Sequence, residues 1–373
     1  MACICDQHKA VIPGIRKIGI LPVKERSAGI HRYLRRTEQY VYRGQDTWRA
    51  CYSLSKEGFI PDLIVGHSGW GDMLFIKDIF PKAVILNYCE FYYRGLGADL
   101  HYDPAEPINP DAIAHTRLKN THLLLSLETA TAGISPTHWQ KSLHPPEFHD
   151  KISVIHEGFD TQVVRPNPDA VLTLPNGSGL AKQDMVLTYV ARNLEPYRGF
   201  PIFMEVATRL LQRHPTLQIV VVGGDSVSYG APLPNGKTYR DALCAQYQPD
   251  LSRLHFLGHI PYSDYLTVLQ ISTVHLYLTI PFVLSWSMLE AMATGCLVVG
   301  SDVAPVLEVI EDGKNGFIVP LLDSKTMTSK VEALLTNAKD FDPIRTAARQ
   351  TVNDRYEVGP CLRQQIELIT QLF

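Results

Sequence analysis

The sequence predicts an α/β protein with parallel sheets, organised in two compact units. Short β-branched runs alternate with amphipathic helical stretches along most of the chain, the pattern of strand–helix–strand crossovers. Hydrophobic residues make up 45% and charged residues 20%, a globular composition that excludes disorder, collagen and coiled coil. At 373 residues the chain is long for one domain of average size and suits two.

Several function classes drop out on the same arithmetic. A formal net charge of -3 and a pI near 6.5 give no electrostatic basis for nucleic-acid binding. No apolar run approaches the roughly 20 residues that span a bilayer, and residues 1–10 have neither the basic start nor the apolar centre of a signal peptide. The seven cysteines are odd in number and scattered, with no C-x-x-C pair. That spacing points to neither a disulfide framework nor a zinc site. They read as small buried hydrophobes in a reducing compartment, so a cytoplasmic location is expected.

In chain order, residues 30–57 carry Tyr33, Tyr40, Val41, Trp48 and Tyr52 at helical spacing. Residues 62–66, 84–88 and 152–155 read as strands, with His67 to Asp72 a loop after the first. The proline- and glycine-containing stretch 165–179 reads as the interdomain linker. A second series follows, with strands at 185–190, 217–222, 254–258, 274–277 and 297–300 and helices at 200–213 and 287–293. The tail from Tyr356 to Phe373 reads as a closing helix. The expected division is therefore 1–165, 166–355, and a last helix, 356–373, packing back on the first domain.

Ligands of open α/β sheets bind beyond the carboxyl ends of the strands, which singles out particular residues. Arg192 directly follows a strand, and Arg198-Gly199 opens the next helix. Two guanidinium groups beside a helix start suit a diphosphate; a surface salt bridge is the plainer explanation. Gly223-Gly224 lets a ligand approach the backbone, although tight turns need glycine too. Glu290 lies among apolar residues, in Trp286-Ser287-Met288-Leu289-Glu290-Ala291-Met292-Ala293. A carboxylate there is costly to bury unpaired; it either accepts from a vicinal diol such as ribose or pairs with a neighbouring group.

The stretch from Pro281 through Glu290-Ala291-Met292-Ala293-Thr294-Gly295 to Ser301-Asp302, then Glu308 to Gly316, resembles the donor-site signature of family 4 (group 1) GT-B glycosyltransferases. Tyr189-Val190-Ala191-Arg192-Asn193-Leu194-Glu195-Pro196-Tyr197-Arg198-Gly199, Val221-Val222-Gly223-Gly224, Phe256-Leu257-Gly258-His259-Ile260 and Ile152-Ser153-Val154-Ile155-His156-Glu157-Gly158-Phe159-Asp160 are similar to family segments in the same order. The resemblance is specific over roughly residues 150–320 and looser before. It implies two Rossmann-like domains facing across a cleft, the N-terminal one shortened, and an enzyme moving a sugar from a nucleotide-diphosphate donor to a hydroxyl acceptor. It also implies retention, no metal and no cofactor besides that substrate, and a role in surface polysaccharide or glycolipid synthesis. By matched position, Glu290 binds ribose and Arg192 and Arg198 neutralise the diphosphate. His259 and Ile260 meet the base through their backbone, while Ser285, Trp286 and Ser287 offer amides to sugar or phosphate.

Two departures stand out. Phe282 occupies the place of the family's first glutamate, which contacts the donor sugar. Too little chain precedes Pro61 for the family's usual opening, so residues 2–5 read as a remnant of its second strand; alternatively, residues 18–21 are the first strand and Ser27-Ala28-Gly29 its loop. These departures also fit a catalytically silent partner or scaffold of the same fold, and a GT-B sugar-nucleotide epimerase is a third alternative.

In the N-terminal half, His67 and Glu90 stand at strand ends, and Tyr92, Tyr93 and Arg94 follow. Glu90 is a catalytic candidate and the others are acceptor-side candidates; for the aromatics, simple packing is the commoner role. Arg16, Lys17, Lys24, Arg26, Arg32, Arg35, Arg36, Arg43 and Arg49 face only Glu25, Glu38 and Asp46 nearby. That excess reads first as a solvated face, and second as a basic patch for anionic lipid or a lipid-linked acceptor. The expected partners are a nucleotide-sugar donor, a glycan or lipid-linked acceptor and a peripheral membrane contact.

Overall fold

The computed structural model describes residues 1–21, 27–234 and 236–373. Two units emerge: unit 1 comprises Met1–His156 with Gln364–Phe373, and unit 2 comprises Glu157–Arg363. The division falls nine residues before the expected position at 165. Residues 165–179 are not a free linker, because they belong to unit 2.

Unit 1 holds β1 (Ala2–Asp6), β2 (Arg16–Ile20), β3 (Leu63–His67), β4 (Val84–Tyr88), β5 (Ala132–Ser135) and β6 (Ile152–Val154). Strands β3-β4-β5-β6 form one parallel sheet in that order, and β1 and β2 pair parallel in a separate two-stranded sheet. Ile18 therefore does not start the main sheet; its register partner is Ile4, whose side chain packs against Cys51, Met73, Ile76 and Phe80. The expected helix 30–57 begins later, as a single turn over Arg32–Leu34 followed by a helix over Arg35–Lys56. The chain's last helix, Val358–Gln371, has an amphipathic end. Its Leu368 and Ile369, with Leu372, cover Leu86, Ala132, Ile134 and Ile155 in unit 1.

Unit 1 also buries imidazoles. His122 and His144 are each 1% exposed, and burial pushes both down to about 4 from an ordinary value of 6.5. They are neutral in the folded state at pH 7, whereas in the unfolded chain they take up protons below about 6.5. Stability is therefore full above that pH and is lost as pH falls toward 4. Melting curves should be flat from pH 8 to 7 and should move down progressively from 6.5 to 4.

Unit 2 holds an antiparallel hairpin of β7 (Val171–Thr173) and β8 (Gly179–Ala181), then β9 (Val186–Asn193), β10 (Gln218–Gly224), β11 (Leu254–Gly258), β12 (Val274–Tyr277), β13 (Leu297–Ser301) and β14 (Phe317–Val319). The hairpin turns at Asn176-Gly177, and its Leu172, Leu174 and Leu180 are buried against Val186, Val220, Val268 and Ile271. That burial is why the stretch is ordered rather than a linker. The remaining six strands are all parallel in the order β11-β10-β9-β12-β13-β14, the doubly wound arrangement with its reversal between β9 and β12. The helix Phe200–Arg213 starts after Gly199, which takes a left-handed φ of 65°. A Cβ there would stand 2.6 Å from Leu278 Cβ. The helix has Pro201 in its first turn and ends at His214, before Pro215. Its Phe203, Met204, Val206, Ala207 and Leu210 are fully buried, at roughly 1.5–3 kcal/mol for each large side chain.

Candidate functional site

Strands β9 and β12 pair only at Val274 with Leu187 and His275 with Thr188, so their carboxyl ends are unpaired beyond that point. This is the reversal point of the sheet, where doubly wound folds open a ligand crevice. Arg198 reaches into it. The residue is 8% exposed, and its Nη1 donates to the Thr279 hydroxyl at 2.9 Å, the Val283 carbonyl at 3.1 Å and the Tyr277 hydroxyl at 3.3 Å. All three acceptors are neutral, and among the described residues no carboxylate pairs with this guanidinium. Part of Arg198 is therefore committed to joining β12 to the following loop. Arg192, at the end of β9, is exposed. Both guanidinium carbons lie about 6 Å from the centre of the Tyr229 ring, at 6.0 and 5.9 Å. The two arginines paired from sequence are therefore brought to one place, on an aromatic ring that sequence reasoning did not single out.

Tyr229 is positioned by a carboxylate. Glu195, 1% exposed, accepts from the backbone N–H of Ser228 (2.9 Å), Tyr229 (3.2 Å) and Gly230 (2.8 Å). Three amides on one side chain satisfy a buried charge and fix the loop after β10. Glu195→Gln removes the charge and one acceptor oxygen, so cleavage of this loop in limited proteolysis should accelerate while the rest of unit 2 stays resistant.

Phe282 stands in the same cluster, 4.8 Å from Tyr229 and edge-on to Tyr197 at 5.4 Å, with Arg198 at 5.8 Å from its centre. A carboxylate there would neutralise Arg198, whereas an aromatic ring leaves its charge in place.

The helix Trp286–Ala293 follows. Ser285 caps it, accepting from Ser287 N–H at 3.3 Å and sharing a hydroxyl contact of 2.9 Å with Ser287, while Ser285 N–H donates to the Tyr277 hydroxyl at 2.9 Å. Trp286 is half exposed. Glu290 is 5% exposed and accepts from two tyrosines, the Tyr262 hydroxyl at 2.7 Å on Oε1 and the Tyr265 hydroxyl at 2.5 Å on Oε2. Burial, together with the Glu290 carboxylate, raises both phenol pKa values, that of Tyr265 well above its usual range, so both remain donors. Each oxygen of a carboxylate accepts more than one bond, which leaves capacity for a diol. Tyr262 and Tyr265 were not legible as partners; their one signal is a spacing of three just past the strand-end segment Gly258-His259-Ile260.

Gly223 has a φ of 152°, and a Cβ on it would meet the Ala191 carbonyl at 2.6 Å. A Cβ on Gly224 would stand 2.2 Å from His259 Nε2 and 2.7 Å from Asn193 Oδ1. His259 is thus drawn against the glycine pair, beside a buried Asn193 oxygen that lacks a partner among the described residues. Ile260 packs on the core under the hairpin.

In unit 1, His67 Nε2 stands 3.4 Å from Glu90 Oε2 at the ends of β3 and β4. His67 Nδ1 accepts from Gly69 N–H at 3.0 Å, and Trp70 stacks on the ring at 4.6 Å. Trp70 is 59% exposed. Tyr92, by contrast, is buried between His144 and Arg94, whose Nη2 donates to the His144 carbonyl at 3.1 Å. Tyr93 lies under Lys119, its backbone bonded to Asn120. Tyr92 is thus held by packing, while Tyr93 and Arg94 are partly buried. Four of the cations in the basic excess are paired: Arg16 with Glu57, Arg32 with Asp111, Arg43 with Asp6 and Asp72, and Arg49 with Asp46. Lys24, Glu25 and Arg26 lie outside the described residues. Among the described residues no helix is long and apolar enough to cross a membrane.

A doubly wound parallel sheet with cationic and carboxylate side chains at its reversal point defines a protein of the nucleotide-binding α/β class. Comparison with known proteins narrows that class. Residues 1–164 match the glycosyl transferase family 4 group and residues 173–351 match glycosyl transferases group 1. The chain belongs to this glycosyltransferase family. A phosphatidyl-myo-inositol mannosyltransferase of Mycobacterium tuberculosis is 25% identical over 234 residues, 56% of this chain and 57% of that protein. A D-inositol 3-phosphate glycosyltransferase of Corynebacterium efficiens is 25% identical over 189 residues, 50% of this chain and 43% of that one. The chain thus spans about half the length of the curated relatives it matches. Among solved structures, sucrose-phosphate synthase from Thermosynechococcus elongatus superposes with a TM-score of 0.71 at 18% identity, covering 99% of this chain and 87% of that one. Anabaena HepE in complex with UDP-glucose does so with 0.66 at 16%, covering 88% and 83%. The fold is that of GT-B glycosyltransferases.

Proposed function

We propose that this chain is a hexosyltransferase that moves a sugar from a nucleoside diphosphate sugar to a hydroxyl acceptor, with retention of configuration and without a metal ion. The observation that carries the proposal is the convergence of Arg192 and Arg198 at the reversal of the unit 2 sheet. Among the described residues Arg198's side-chain hydrogen bonds go to neutral oxygens, and a buried carboxylate, Glu290, sits on the helix that follows. In this reading Glu290 takes the ribose hydroxyls and Arg192, backed by Arg198, stabilises charge on the departing diphosphate. Gly223, Gly224, His259 and the Ile260 backbone border the base, and Ser285 to Ser287 face sugar or phosphate. The His67–Glu90 pair with Trp70 offers an acceptor hydroxyl a base and an aromatic platform. The names of the mannosyltransferase and inositol phosphate relatives support a glycan or lipid-linked acceptor, hence a role in surface polysaccharide or glycolipid synthesis at a membrane periphery.

The test is release of nucleoside diphosphate from a panel of UDP- and GDP-sugars, with product anomers assigned by NMR. The expected result is turnover of at least one donor with its configuration retained, undiminished by EDTA. The alternative of a silent scaffold is favoured by one observation, the Phe282 and Tyr229 rings packed beside Arg198. Binding of a donor without turnover by any acceptor preparation would support it.

A further inference from the structure

The parallel strands of unit 2 have a second end. At the amino ends of β9, β12 and β13, away from Arg192, lies a cavity of about 530 Å³ whose lining includes Lys182, Arg345, Arg349, Asp342, Gln350 and Asn353. Lys182 Nζ donates to the Ser272 carbonyl at 2.7 Å. Arg345 donates to the carbonyls of Thr273 (2.8 Å) and Gly295 (3.2 Å). Arg349 donates to the carbonyls of Thr161 and Val164, both at 3.2 Å, and of Ala293. The plain account is that these cations cap the carboxyl ends of the helices Tyr262–Ile271 and Trp286–Ala293.

Capping does not exhaust them. An ammonium has three donors and a guanidinium five, and Lys182 spends one. Three positive charges meet backbone carbonyls on this wall, and the one lining carboxylate among the described residues, Asp342, has a side chain that is 72% exposed and 3.5 Å from Arg345 Nε. Burial lowers the pKa of all three cations, and Arg165 lowers that of Arg349 further, as expected for charges withdrawn from water without enough counter-charge. Asn353 Oδ1 is buried without a partner among the described residues, which suits a hydroxyl donor on a ligand. The volume exceeds a bare phosphate and fits a small organic molecule.

We propose that this cavity is a second anion site, distinct from the donor crevice, which binds a hydroxyl-bearing phosphomonoester through Lys182, Arg345 and Arg349. The same arginines hold the end of the helix that carries Glu290.

The test is calorimetric titration of the intact chain with glycerol 3-phosphate at constant ionic strength. Binding is expected in the parent and in Arg192→Ala, weakened at least about tenfold in Lys182→Met by loss of a charge-assisted bond. Thr346→Trp gives an independent arm: Thr346 lines the cavity from the exposed side of the helix Asp342–Arg355 and caps neither helix end, so a bulky side chain fills the site without removing a cap. It should abolish binding. Absence of binding in the parent, loss of it in Arg192→Ala, or its retention in Thr346→Trp overturns the proposal. Sedimentation with phosphatidic acid vesicles, sensitive to the same variants, would place the phosphomonoester on a lipid; vesicles left unbound, with glycerol 3-phosphate bound, place it in solution.

Discussion

If the proposed donor site is right, Glu290→Ala lowers donor turnover by about a hundredfold or more, since it would remove a charged acceptor from two ribose hydroxyls, at roughly 1.5–3 kcal/mol each. It should also destabilise the fold, because Tyr265 loses the carboxylate that accepts its hydroxyl. A donor stranded in this way costs about 1–3 kcal/mol. The two effects separate in a double variant. Tyr265→Phe removes the stranded hydroxyl, so Glu290→Ala/Tyr265→Phe should recover part of the lost melting temperature and none of the lost turnover. Recovery of both would mean that Glu290 serves only to hold Tyr262 and Tyr265.

Arg192→Ala is expected to reduce kcat by about 10²–10³-fold, the usual loss when one preorganised charge is taken from a transition state that develops negative charge. Stability should change by less than about 0.5 kcal/mol, the norm for an exposed position, because Arg192 is exposed and touches the Tyr229 ring at its surface. Arg198→Ala makes the contrast. It should lose activity and also melt earlier, because the Nη1 contacts to Thr279, Tyr277 and Val283 tie three segments together. Assaying the pair by kcat and by calorimetric melting therefore separates the charge that acts on the leaving group from the charge that builds the crevice.

Much of the sheet could be read from residues alone. The strands Val84–Tyr88, Leu254–Gly258 and Val274–Tyr277 and the helix Phe200–Arg213 fall where their apolar patterns place them, since each is a run or stripe that must be buried. The hairpin at 171–181 was hidden because each strand is only three residues long and Pro166, Pro168 and Pro175 stand around them. Strand β5, Ala132–Ser135, is four residues with a central glycine and carries almost no propensity signal. At the site, strand-end position located Arg192 and the helix pattern located Glu290. Their partners were not readable, because Tyr229 arrives on a loop set by Glu195 and Tyr262 and Tyr265 arrive from a different helix. Likewise Arg16, Arg32 and Arg43 looked unopposed because Glu57, Asp111 and Asp72 come from elsewhere in the chain.

The most direct measurement is a crystal structure of the chain with a nucleoside diphosphate. The account predicts ribose hydroxyls within hydrogen-bond distance of Glu290 and phosphate oxygens on Arg192, beyond the ends of β9 and β12. A nucleotide bound anywhere else, or one that leaves Glu290 engaged by Tyr262 and Tyr265 alone, would contradict it.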